Sequence, residues 1–113
     1  MADPIIDPAA FAELQENAGE DFVRELIDTF LEEAPPMLEQ LKEALDAGNA
    51  EGFRRTAHSL KSNSHTFGAF RLAELARALE LGGIEAGRAP AALRELADEY
   101  ALTASALRGL RDA

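Results

Sequence analysis

The chain is predicted to be all-α, an antiparallel up-and-down four-helix bundle with a short additional N-terminal helix. Three observations predict it. Ala, Leu and Glu prevail while β-branched residues are few, apolar residues return at spacings of three and four, and Gly and Pro fall mostly at the edges of those periodic runs. The segments between the runs are brief, which joins consecutive helices as antiparallel neighbours.

Asp7 followed by Pro8 reads as an N-cap with proline at the first helical position, and opens a helix over about 8–17 before Gly19. From 20 to 47, the residues Val23, Leu26, Ile27, Phe30, Ala34, Met37, Leu41 and Leu45 keep one apolar phase. Pro35 and Pro36 fall inside that run. An interior proline removes a backbone hydrogen bond and crowds the preceding turn, at a cost of about 3 kcal/mol. Because the phase carries across them, the reading is one long helix kinked near Pro35, with two helices joined at the prolines as the alternative.

Gly48 and Asn49 close this helix and cap a third over 50–67, which stops at Gly68, a residue suited to a left-handed C-cap. Leu72, Leu75, Ala76 and Leu79 mark a fourth helix over 69–86, fading into Gly82, Gly83 and Gly87. Pro90 opens the last, over 90–111, with a seam of Leu93, Leu96, Tyr100, Thr103, Leu107 and Leu110. At 113 residues, with no linker, repeat or low-complexity tract, residues 1–113 read as a single domain able to bury its own core.

Composition narrows the function. A formal net charge of −10 repels nucleic acid and anionic membranes, so neither is an expected partner. Cysteine is absent, which removes disulfides and thiolate metal sites. No apolar run approaches the roughly 20 residues that cross a bilayer, nor resembles a signal peptide, and the expected location is the cytoplasm.

One stretch breaks the acidic pattern. RRTAHSLKSNSHTFGAF, residues 54–70, holds both histidines together with Arg54, Arg55 and Lys61, and no Asp or Glu occurs between Glu51 and Glu74. On a helical wheel of about 100° per residue, Phe53, Ala57, Leu60, Ser64 and Phe67 lie within roughly 40° of one line, a seam suited to burial. Turning away from Phe53 on that wheel, Lys61 comes first, followed in order by Arg54, His65, His58, Ser62 and Arg55, the last two on the side opposite the seam. His58 is therefore expected in solvent, with every cation of the helix on the same outward arc.

Lys61 and Ser62 stand one turn beyond His58, where helical side chains meet. An imidazole with an unperturbed pKa of about 6.5 is a nucleophile at neutral pH. Once it has accepted a phosphoryl group, adjacent cations stabilise the charge it carries. The sequence offers no glycine-rich nucleotide loop and no P-loop, so a carrier fits where a kinase does not. A metal site is disfavoured, because His58 and His65 are two turns apart, about 10.5 Å along the axis. The abundant acidic residues read as solvated helix faces rather than as catalytic carboxylates.

The segment HSLKSNSHTFGA, from His58 to Ala69, resembles the motif of the histidine phosphotransfer (HPt) domain, in which His-x-Leu-Lys-Gly and two small residues precede three variable positions and Gly-Ala. His58, Leu60, Lys61, Ser64, Gly68 and Ala69 match in register. The upstream FLEEAPPMLEQLKEALDAGNAEGFRRTAHSL and the downstream LAELARALE extend the likeness over roughly residues 20–85.

The resemblance implies that His58 takes a phosphoryl group from an aspartate of one receiver domain and passes it to another. It also implies that Lys61 stabilises the phosphoryl charge, and that the chain has no cofactor of its own, the receiver supplying Mg2+. The implied partners are response-regulator receivers and a hybrid sensor histidine kinase. Arg54, Arg55, Ser62 and His65 would face the receiver or lie near the phosphoryl group. Ser62 departs from the motif, which most often has glycine there. Gly68 is read as structural, for its positive φ.

A monomer is expected, with Phe11 and Leu14 of the first helix among the exposed apolar residues around His58. An adaptor that binds without being phosphorylated and an unrelated helical interaction module are the competing readings.

Overall fold

The computed structural model describes residues 4–113, so residues 1–3 of the expected domain lie outside the described residues. It contains five helices, α1 (Pro8–Ala18), α2 (Glu20–Ala47), α3 (Ala50–Thr66), α4 (Phe70–Gly87) and α5 (Ala92–Asp112), and among the described residues no strand. Helices α2 to α5 form the four-helix bundle: α3 packs most extensively on α4, α2 on α3 and α5, and α4 on α5, while α1 lies against α2.

Local chemistry sets the helix ends. The Asp7 carboxylate accepts from the Ala10 backbone N–H at 2.9 Å, and the Asn49 side chain accepts from that of Gly52 at 3.0 Å. Each satisfies a donor that an α-helix leaves unpaired in its first turn. Gly48 adopts φ +68° at the close of α2, where an L side chain would be strained.

Helix α2 is unbroken from Glu20 to Ala47 with both prolines inside it. Pro35 and Pro36 are exposed, whereas the buried Phe30, Ala34 and Leu41 keep the apolar stripe continuous through them. The core contacts of that stripe hold together what propensity alone would break.

Two expectations about the C-terminal half are corrected. Helix α5 begins at Ala92 rather than Pro90, which sits in the preceding turn where Ala91 takes a left-handed φ of +66°. Leu110 lies outside the seam, 39% exposed, and Glu99 is buried beside Thr103 instead. Near the end of α4, Gly83 departs from helical backbone with φ +68°, and the helix continues to Gly87.

The core is one cluster, with Phe53, Ile27, Leu41, Leu60, Leu72, Leu96 and Leu107 almost wholly removed from solvent. Phe30 joins three helices, its ring 5.5 Å from that of Phe67, beyond the end of α3, and 5.9 Å from that of Tyr100 on α5. Apolar burial at about 25 cal/mol per Å2 supplies the driving force that fixes α3 in place.

Candidate functional site

Helix α3 buries the predicted seam: Phe53, Ala57, Leu60 and Ser64 have no solvent exposure, and Phe67, its C-cap residue, has 3%. Ser64 is compatible with that burial because its hydroxyl donates to the Leu60 carbonyl at 2.7 Å. With this face locked inward, His58 projects outward, its side chain 54% exposed.

What the imidazole meets there was not legible in the sequence. Its Nδ1 lies 2.7 Å from Oε2 of Glu80, a residue of α4, and the other carboxylate oxygen of Glu80 lies 3.0 Å from Nζ of Lys61. Glu80 is only 13% exposed, so one sheltered carboxylate joins the histidine and the lysine. The Lys61 ammonium, and after it the His58 ring, hold the Glu80 carboxyl below the usual carboxylate range. Glu80 is charged, acceptor-only, and committed through one oxygen to each partner.

The acid-free window from Glu51 to Glu74 is therefore not acid-free in space. Besides Glu80, Glu51 reaches Arg54 at 2.7 Å across one turn of α3. Arg71, at the start of α4, lies 3.3 Å from the buried Glu99 of α5. The expectation of an imidazole ringed by positive side chains is corrected accordingly: the nearest charged group is a carboxylate.

Three further candidates lie outside the contacts that Glu80 makes. His65 is exposed and rests on the Phe70 ring, with centroids 5.1 Å apart. Ser62 is exposed, and its backbone carbonyl accepts from the Thr66 hydroxyl at 3.0 Å. Arg55 is exposed and, among the described residues, has no carboxylate partner. Phe11 is buried and Leu14 is packed against the core, so neither serves as an exposed apolar neighbour of His58; Phe70 and Leu81 are the large exposed apolar residues of α4.

Gly68 ends the helix that carries the site. Its φ of +81° turns the chain out of α3 while the amides of Gly68 and Ala69 donate back to the carbonyls of His65 and Ser64, both at 3.0 Å. The Gly68 carbonyl also accepts from the Asp7 N–H at 3.0 Å, and a Cβ here would stand 2.9 Å from that of Ala10. Glycine is needed both for the turn and for the docking of α1 on it. Among the described residues no cluster of three or more His, Asp or Glu side chains could hold a metal ion.

His58 is thus an exposed imidazole held against a half-buried carboxylate, on a helix pinned by a packed seam, and is not a core histidine. The Hpt domain family model matches residues 25–111. The chain belongs to the Hpt domain family. Among solved structures, the fold matches the crystal structure of histidine-containing phosphotransfer protein B from Pseudomonas aeruginosa PAO1. The two share 35% identity at a TM-score of 0.88, over 98% of this chain and 97% of that one. A comparison with curated proteins finds no match. This Hpt domain serves phosphoryl transfer in a phosphorelay, and no helix among its described residues is long and apolar enough to cross a membrane.

Proposed function

We propose that His58 is the phosphorylated residue and that Nε2 is its nucleophilic atom. The observation that carries this is the 2.7 Å contact between Nδ1 and Glu80. A charged carboxylate can only accept, so Nδ1 carries the proton, and the lone pair is left on Nε2.

Transfer then balances without any added base. The Nε2 lone pair forms the N–P bond as the P–O bond of a receiver's aspartyl phosphate breaks, and the leaving electron pair stays on the aspartate. The ring becomes cationic while Nδ1 keeps its proton, and Glu80 compensates that charge, much as a buried aspartate steadies an imidazolium in a hydrolase triad. Passing the group to a second receiver reverses each of these changes.

Lys61 contributes through Glu80, keeping it ionised and aimed. The chain acts as a carrier and not as an enzyme, with receiver domains and a hybrid sensor kinase as partners and Mg2+ supplied by the receiver. We read it as a cytoplasmic monomer. Its test is incubation with phosphorylated receivers. Label should appear on the chain as acid-labile, base-stable phosphate that can be chased to a second receiver, and a wild-type chain that takes no label from any donor ends the reading.

A further inference from the structure

The clasp on His58 also dictates where the phosphoryl group points. The two nitrogens of an imidazole stand two vertices apart on a five-membered ring, so their outward directions are closer to opposed than to parallel. Nδ1 is aimed at Glu80 on α4. Nε2, and any phosphoryl group on it, is therefore aimed away from α4.

The outward arc of α3 has two sides. Lys61 and His65 lie toward α4, the first against Glu80 and the second against Phe70. Asn63 and Thr66 lie toward α2, where they share a hollow with Leu26, Thr29 and Glu33. The α4 side is thus the side that Nε2 turns its back on. On the opposite flank of His58 stand Arg55, one turn before, and Ser62, one turn after, at the spacings where helical side chains meet.

Charge leads to the same residues. Lys61 is held by Glu80 at 3.0 Å and Arg54 by Glu51 at 2.7 Å, so neither offers an uncompensated charge to an incoming phosphoryl group. Arg55 has no such partner among the described residues. Its guanidinium is the shape that grips phosphate oxygens through two parallel N–H donors. The Ser62 hydroxyl is the neutral donor on the same flank.

We infer that in this chain the phosphoryl charge on His58 is carried by Arg55, with Ser62 as a hydrogen-bond donor, rather than by Lys61. The inference rests on the reading of His58 as the phosphoacceptor. It gives the serine that replaces the motif's usual glycine a purpose: it completes a cradle on the flank of Arg55, which has no carboxylate partner among the described residues.

The test uses the full chain, labelled from a phosphorylated receiver and freed of it, as wild type, R55Q, R55K, S62G and K61Q. The readout is the 31P resonance of the phosphohistidine across pH, which needs no partner present and which a merely structural role would not move. Removing an adjacent cation raises the pH at which the phosphoryl group loses its last proton.

The expected result is an upward displacement of that midpoint by about half a unit or more in R55Q, restored in R55K. K61Q should move it less than R55Q does, and S62G should alter the chemical shift itself. Displacement in K61Q with none in R55Q overturns the inference while leaving His58 as the acceptor. Failure of the wild type to take label overturns both, so the two failures are told apart. Arg55 and Ser62 are exposed, and circular dichroism of the variants confirms that the bundle is retained.

Discussion

His58 and His65 stand on the same side of the same helix, two turns apart, and both are exposed. They differ in what α4 sets opposite each. His58 meets the sheltered carboxylate of Glu80 at 2.7 Å, and that contact fixes its proton and its ring. His65 meets the ring of Phe70 at 5.1 Å, a contact that fixes a position but not a tautomer. A helix face alone does not orient an imidazole; the neighbouring helix decides which of the two rings a carboxylate holds.

The largest effect should come from removing the oriented ring. His58→Gln is expected to abolish all acid-labile label from a phosphorylated receiver, although His65 remains on the surface. Label persisting at wild-type level in this variant would erase the distinction between the two histidines. The next test removes the scaffold they share. Leu60 is fully buried between them in sequence, and Leu60→Ala should cost about 2–5 kcal/mol in urea unfolding through lost burial and an unfilled cavity.

Glu80→Gln sharpens the comparison by leaving His58 in place and removing only the charge that orients it. A carboxamide can present N–H as well as C=O to Nδ1, so the tautomer is no longer imposed. By analogy with outer carboxylates that orient metal-bound histidines, phosphoryl uptake should slow by roughly tenfold. The same variant tests the acid limb of stability. Glu80 is held below its ordinary carboxyl range in the folded chain, chiefly by Lys61 and then by His58. Its contribution is therefore present above the unfolded value of about 4.3 and lost as pH falls through the lowered folded one. Urea midpoints of wild type and Glu80→Gln should differ at pH 6 and converge in acid; a constant gap would show that the clasp adds nothing electrostatic.

How much of this was written in the sequence follows from the range of each interaction. The seam of α3 and the outward aim of His58 were legible because both depend on helical period alone. The caps at Asp7 and Asn49 were legible because each acts within three residues. Glu80 was not, since it reaches His58 across 22 positions and, read on its own helix, is one more charge beside the buried Leu79. Only the antiparallel register of α3 against α4 brings it into contact. Pro35 and Pro36 failed to break α2 for a related reason, because core packing outweighed a local penalty. The turn at Gly68 is legible as a helix end, but its second demand, an approach of Ala10 of α1 that leaves no room for a Cβ, is tertiary and leaves no sign.

The smallest effect expected is that of His65→Ala. The imidazole gives up its contact with Phe70, a residue itself 40% exposed, so little apolar area returns to water. His65 touches neither Glu80 nor, through it, Nδ1 of His58. Phosphoryl uptake should therefore stay within about twofold of wild type, and the shift in unfolding midpoint should match that of an ordinary surface substitution, within about 0.5 kcal/mol. A tenfold loss in this variant, with His58 and Glu80 intact, would mean that the Phe70 end of the face takes part in transfer or docking. The division between an oriented histidine and a merely resting one would then have to be withdrawn.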